Sequence, residues 1–384
     1  MIYLDNCSTT RPRESVIKIM SESMMDYFGN PSSLHRLGMS SEKKIKEARE
    51  YIAKYLDVNI NEIYFTSGGT ESNNIGIQSI VNKMKRRGNH IITTEIEHPS
   101  VLNIIKNYEK QGFEVTYLNV DSLGYISLEE LKTSIKDTTI LVSVMHVNNE
   151  IGAIEPIDKI KQTISNINPN TLLHVDGVQG FGKVGLSLKA SGVDTYSFSA
   201  HKIHGPKGVG GLYIDKKHTL SPIVFGGNQE KGIRSGTENT TGIIGFGEAT
   251  RIMNENFKDE SNHVDKLKKY FISKIKDEID HIRFNTELDG KSSPYILNIS
   301  FEYVRGEVLL HYLEDKNIYI STTSACSSNG TEKSHVLKSI GLNNNEIEGS
   351  IRFCFSYENT IEEMDYTLGA LKDSIAEIRQ ITMR

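Results

Sequence analysis

The stretch Ser197–Tyr213, "SFSAHKIHGPKGVGGLY", sets a lysine between two histidines and follows it with a cluster of glycines. An apolar run, "TYSFSA", leads into it and a second, "GGLYID", leaves it, so the pattern reads strand, loop, strand. Lys202 therefore stands just beyond a strand's end. Upstream, "EIYFTS", "HIITTEI", "FEVTYLNV", "TILVSVMHV" and "TLLHVD" read as five more strands. They alternate with helix-period segments over Ser72–Arg87, Pro99–Gln111, Ser127–Ile135 and Pro156–Ile167. That rhythm predicts an α/β fold, a mainly parallel seven-stranded sheet between helices. In such sheets ligands gather at the carboxyl ends of the strands.

From about Glu248 the texture changes to a long charged helix, then to strands "YILNISF" and "IYIST" with helices around them. This predicts two domains in the 384 residues: a large one over 15–255, and a smaller α+β one made of 1–14 with 256–384. With 37% hydrophobic and 24% charged residues the composition is that of a soluble globular protein, and no apolar run is long enough to span a bilayer. A net charge of −5 with mixed signs gives no basic face for nucleic acid. The start, "MIYLDNCSTTRP", carries no signal or transit pattern. Three cysteines, Cys7, Cys326 and Cys354, have no paired spacing, which points to a reducing compartment, the cytoplasm.

Three constellations carry chemistry. In "FTSGGTESNN" (Phe65–Asn74) a strand ends at Ser-Gly-Gly-Thr and leads into a helix, so free N–H groups and the helix dipole suit a phosphate; an ordinary N-cap is the alternative. In "HVDGVQG", Asp176 closes an apolar strand, where it either caps the next turn or holds a protonated ring nitrogen. Nearby "GFGKVG" matches a dinucleotide pattern, but no helix pattern follows it. Lys202, flanked by Ser199 and His201, is placed to react with a carbonyl once its amine is neutral. A phosphate cradle, a carboxylate and a lysine are together what pyridoxal phosphate requires. No compact ligand set accompanies His201 and His204, so no metal is expected. Two further residues stand out. Cys326, in the polar loop "TTSACSSNG", is either an exposed nucleophile or a small residue under a helix start. Arg352, inside the strand-like "GSIRFCFS", is either half of an internal salt bridge or a carboxylate clamp.

With these residues in place, the sequence resembles the NifS/IscS-type cysteine desulfurases, fold-type I pyridoxal-phosphate enzymes of the class V aminotransferase family. The likeness runs in order through "YLDNCSTT", "YFGNPSSLHRLG", "FTSGGTESNN", "EIEHPSV", "HVNNEIG", "HVDGVQGFGKV", "SFSAHKIHGPKGVGGLY", "GGNQEKGIRSGTEN", "LNISF", "SACSS" and "IRFCFS". The resemblance implies that Lys202 is the Schiff-base lysine, Asp176 the partner of the pyridine nitrogen and Gln179 the contact to the ring hydroxyl. It implies that His98 stacks on the ring as a catalytic residue and that Asn149 faces cofactor and substrate. Gly69, Thr70, Ser199 and His201 would hold the phosphate, and Thr237 would reach the phosphate of a neighbouring subunit in a homodimer. Arg352 would bind the carboxylate of L-cysteine, and Cys326 would take its sulfur as a persulfide.

The implied partner is a sulfur-acceptor protein, an iron–sulfur scaffold or a tRNA-thiolation enzyme. A selenocysteine lyase or other β-lyase on the same scaffold would not need Cys326, and a binding scaffold without turnover would not need Lys202. The chain departs from the usual pattern at Cys7 and Ser8 (usually Asn, Ala), Gly177 (Ala), Thr323 (Gly), and Cys354 and Phe355 (Ser-Leu). Thr323 is expected to stiffen the Cys326 loop, since glycine gives more backbone freedom.

Overall fold

The computed structural model describes residues 1–322 and 333–382. Its main sheet has seven strands, and they are the seven apolar runs of the sequence. Their spatial order is Ile63–Thr66, Gly210–Ile214, Thr195–Ser199, Leu172–Asp176, Thr139–Met145, His90–Thr94 and Glu114–Leu118. Six run parallel, and Gly210–Ile214 alone runs against both its neighbours. The physical reason is the short connection, residues 200–209, which holds only a 3-10 turn and is too short for a parallel crossover.

Because both faces are covered, the central strands are buried at every position. Alternate residues feed opposite cores. Ile92, Val142 and Leu173 pack on one face with helices Arg36–Leu56 and Ile157–Ile167. Ile91, Leu141 and Leu172 pack on the other with helices Gly69–Met84 and Pro99–Lys110. The period-two alternation of a strand makes this division.

The long helix spans Thr240–Glu278, starting eight residues before the charged stretch that announces it, with Asn239 Oδ1 capping Gly242 N at 3.0 Å. Its first half, Ile243 to Met253, packs into the core beneath the main sheet. Its second half, Val264 to Ile275, packs into another cluster with Leu4, Ile299, Phe353 and Leu371. That cluster backs an antiparallel sheet of Ser321–Thr322, Ser350–Cys354, Ile296–Phe301 and Ile282–Phe284. "IYIST" turns out to be two short strands. Ile318–Tyr319 pairs with Ile2–Tyr3 near the N-terminus, whereas Ser321–Thr322 pairs with Ser350–Cys354. Among the described residues no helix is long and apolar enough to cross a membrane.

Candidate active site

Five of the residues singled out in the sequence follow the carboxyl end of a parallel strand closely. Gly69 follows Thr66, His98 follows Thr94, Asn149 follows Met145, Asp176 ends its own strand, and Lys202 follows Ser199. The sheet therefore brings them to one edge. There they line a cavity of about 450 Å³ together with Thr70, Gln179, His201 and Arg352. An open cleft between helices Gly69–Met84 and Pro99–Lys110 adjoins it and shares Thr70, His98 and Ser100.

Lys202 extends from the 3-10 turn Ala200–Lys202 into this cavity, and its Nζ donates to the carbonyls of Cys7 and Ser8. Burial, reinforced by the charge of Lys183, lowers its amine from the usual 10.5 to about 8. The neutral, nucleophilic form is thereby accessible near neutral pH. Gln179 links the same elements, donating to the Cys7 carbonyl at 2.9 Å and accepting from Lys183 Nζ at 2.8 Å.

Asp176 is buried and ordered by its surroundings. Its Oδ2 accepts from Asn73 Nδ2 at 2.8 Å and its Oδ1 from the Val178 amide at 3.0 Å. Asn73 is a hub that the sequence reading passed over. It also donates to Ser100 Oγ at 2.9 Å, and its Oδ1 faces His174 Nε2 at 3.0 Å. Burial lowers the His174 pKa to about 3, so this ring stays neutral beneath Asp176. His98 caps helix Pro99–Lys110, its Nδ1 accepting from the Ser100 amide at 3.1 Å, with Pro99 at the first helical position. Burial lowers its pKa too, against the pull of Asp176.

The end of the cavity at Gly69 and Thr70 is shaped by the one reversed strand. Gly210 pairs with both Thr66 and Ser199, so the loop after one and the end of the other meet across a residue without a side chain. A Cβ at Gly210 would lie 2.6 Å from Gly68 Cα. Gly68 itself has φ 156° and ψ −178°, a region essentially restricted to glycine, and it opens the helix that starts at Gly69. Ser199 Oγ, at the strand end that pairs with Gly210, is buried without a hydrogen-bond partner, and Ser199 is not itself a lining residue. His201 closes this end, its Nδ1 3.2 Å from Thr9 Oγ1 and its pKa lowered to about 4 by burial and by Lys202. Free first-turn amides, an orphaned hydroxyl, a near-neutral lysine and a donor-held carboxylate are together a donor set that fits pyridoxal phosphate.

Arg352 forms the internal salt bridge that was one of the two alternatives read from the sequence. It lies in strand Ser350–Cys354, is 2% exposed, and donates to Asp5 Oδ1 at 3.0 Å, Ser8 Oγ at 2.9 Å and the Asn149 carbonyl at 2.8 Å. It also lines the cavity, so the salt bridge to Asp5 orients a guanidinium that faces the site. One residue stands apart. Thr237 lines a small separate cleft with Ser67, Gly208 and Arg234. Cys326 and Thr323 lie outside the described residues. Just past that segment, Ser334 Oγ donates to Glu150 Oε2, and His335 Nε2 meets the Glu97 carbonyl at 2.9 Å beside His98.

Gly177, where alanine is usual in the resembling family, has a local cause. The Tyr196 ring fills the space a Cβ would need, and its hydroxyl lies 3.0 Å from His146 Nδ1.

The chain is similar in sequence and in fold to known proteins. The family model of the class-V aminotransferases matches residues 2–367. The chain is 41% identical over 381 residues to the cysteine desulfurase IscS of Dictyoglomus turgidum, covering 99% of this chain and 96% of the relative. Among solved structures, a NifS-like protein superposes with a TM-score of 0.92 at 38% identity, covering 98% of this chain and 99% of the other. SspA in complex with cysteine superposes with a TM-score of 0.82 at 32% identity, covering 94% and 100%.

Proposed function

From the premise that the chain belongs to the class-V aminotransferases and, within them, to the NifS/IscS-type cysteine desulfurases, we propose that it converts L-cysteine to L-alanine and takes the sulfur as a persulfide on Cys326. The observation that carries this reading is the convergence of a near-neutral lysine, a buried carboxylate and a buried arginine on one cavity.

Pyridoxal phosphate, the cofactor of this family, supplies an aldehyde for the substrate's amine and a ring that takes up the electrons released at Cα. Lys202, drawn down to about 8, is the base that takes the Cα proton and returns it. Asp176, fixed by Asn73 and the Val178 amide, presents its charge to the ring nitrogen. Gly69, Thr70, Ser199 and His201 hold the phosphate, Gln179 meets the ring hydroxyl, and His98 and Asn149 face the ring and the substrate. Arg352, already aimed by Asp5, receives the substrate carboxylate. The Cys326 thiolate attacks the substrate sulfur: an S–S bond forms, the C–S bond breaks, and the electron pair left on carbon takes a proton to make the methyl group of alanine.

In this reading residues 15–255 bind the cofactor, and 1–14 with 256–384 close the site. The division is supported by the passage of the long helix from one apolar cluster to the other. The protein works as a homodimer, Thr237 serving the neighbouring copy. Its place in a separate cleft and the exposed Phe28, Leu34 and Met39 support that assembly. The persulfide passes to an acceptor protein, an iron–sulfur scaffold or a tRNA-thiolation enzyme, in the cytoplasm, a location supported by the free buried thiols of Cys7 and Cys354.

The test is alanine and sulfide release from L-cysteine by the purified holoenzyme, with mass analysis of the Cys326 peptide. Lys202→Ala is expected to abolish alanine formation, and Cys326→Ser to lose most of the rate and all delivery of sulfur to an acceptor. A Cys326→Ser variant that matches the wild type would hand the reading to a β-lyase; a wild type that makes no alanine would overturn it.

A further inference from the structure

His98 lines both the cavity and the open cleft beside it, so what its ring can give or take there depends on where its proton sits. A chain of hydrogen bonds from Asp176 decides that. Asn73 Nδ2 donates to Asp176 Oδ2 at 2.8 Å and to Ser100 Oγ at 2.9 Å, and Ser100 Oγ lies 2.8 Å from His98 Nδ1. A carboxylate oxygen accepts, so the Asn73 amide must turn its nitrogen this way. Both protons of that nitrogen are then engaged, while Oδ1 accepts from Ser197 Oγ and meets His174 Nε2 at 3.0 Å. Ser100 Oγ, receiving from Asn73, has its own proton left for His98 Nδ1. The Ser100 amide reaches the same nitrogen at 3.1 Å, as part of the cap of helix Pro99–Lys110. With two donors turned on it Nδ1 holds no proton, and the one proton of the neutral ring lies on Nε2, which bonds no described residue. Burial and the charges of Lys202 and His335 oppose a second proton, against the pull of Asp176. Glu97, the next carboxyl along the chain, is engaged elsewhere, its Oε1 accepting from Thr94 Oγ1 and the Met145 amide, each at 2.8 Å.

We propose that Asn73 and Ser100 are positioning residues that hold His98 as a neutral ring with its proton on Nε2, so that His98 acts toward the substrate as a hydrogen-bond donor and not as a base. The direction of every bond in the chain is set at its far end, by an Asp176 carboxylate that can only accept. Asp176 thus serves the site twice, once through its own charge and once through the ring it directs. The proton work is divided: Lys202 is the base and His98 the donor. What the donor acts on rests on the desulfurase reading, whereas the place of its proton does not.

The experiment is nitrogen NMR of the full-length protein, cofactor-loaded and cofactor-free, carrying isotope-labelled histidine rings, with His98→Gln identifying the His98 signals. The wild type at neutral pH is expected to show a protonated Nε2 and a bare, hydrogen-bonded Nδ1. Ser100→Ala removes one of the two donors and leaves the capping amide, so the Nδ1 signal should move toward that of an unbonded ring nitrogen. The His98 titration midpoint should rise with it by roughly 0.5–1 pH unit, the worth of one hydrogen bond to the neutral form. Ser100→Thr keeps the hydroxyl and should restore both readings. Asn73→Ala should move the Nδ1 signal when Ser100 is present and leave it unmoved in the Ser100→Ala background. His98→Gln keeps an N–H donor but offers no base, and its holoenzyme is expected to form alanine roughly tenfold faster than His98→Ala. A wild-type ring protonated at Nδ1 overturns the proposal, as does a Ser100→Ala ring whose signal and midpoint are those of the wild type; equal rates in His98→Gln and His98→Ala overturn the donor role. The NMR readings need no turnover, so a wild type that makes no alanine overturns the desulfurase reading and leaves the placing of the proton to be judged on its own.

Discussion

Replacing Lys202 by methionine measures what the cavity charges for a buried ammonium. A depression from 10.5 to about 8 corresponds to roughly 3 kcal/mol against the protonated amine. The unfolded chain keeps this proton up to 10.5, whereas the folded protein releases it at about 8. The penalty is therefore complete below the folded value, shrinks between the two, and is gone above the unfolded one. Against it stand the two hydrogen bonds that Nζ gives to the Cys7 and Ser8 carbonyls, about 1 kcal/mol each. Cofactor-free Lys202→Met is thus expected to exceed the cofactor-free wild type in stability by about 1 kcal/mol near neutral pH. The two should cross at about pH 9, with the variant the weaker at higher pH. The assay is thermal denaturation of both proteins, at equal concentration, across that pH range. A variant that is less stable at neutral pH, by a gap that does not move with pH, would refute the reasoning.

Three further outcomes follow from named contacts. Ser199→Ala removes a buried hydroxyl that has no partner, so the cofactor-free melting temperature should hold while the cofactor dissociation constant, read by fluorescence titration, rises about tenfold. Gly177→Ala drives a Cβ into the Tyr196 ring, and thermal denaturation should show a loss of about 1–3 kcal/mol. Arg352→Lys keeps the charge but loses the fork that joins Asp5, Ser8 and the Asn149 carbonyl, and steady-state kinetics should show KM for L-cysteine raised by about 10–100-fold.

The large sheet was legible because each of its strands is an apolar run bounded by turn residues, and the carboxyl-edge rule then grouped the turn at Gly69, Asp176 and Lys202, whereas His98 and Asn149 entered only through the family resemblance. The direction of Gly210–Ile214 was not, since it depends on how a short loop returns rather than on any periodicity. The first turns of the long helix, Thr240 to Gly247, carry glycines and no charged pattern, so the helix was placed only from about Glu248. The glycines are there for contact: a Cβ at Gly247 would lie 2.5 Å from Ala48 Cβ on the neighbouring helix. Asn73 stood in a quoted motif without being singled out, because its meaning lies in Asp176, 103 residues away. The place of Cys7 beside the cavity is likewise set by strand Ser350–Cys354 and by Lys202, neither of which is near it in sequence.

The contact between Arg352 and Asp5 spans 347 positions, and it carries a consequence for biogenesis. The strand pairs around Gly210 need the chain only as far as Ile214, but the contacts of Arg352 join the first eight residues to the last strand of the smaller sheet. At about 5–20 residues per second a ribosome takes roughly 20–70 s to travel between them. For that interval the N-terminal segment waits without the strand that fixes it. The residues that line the cavity from Gly69 to Lys202 therefore leave the ribosome well before the strand that brings Arg352 to them.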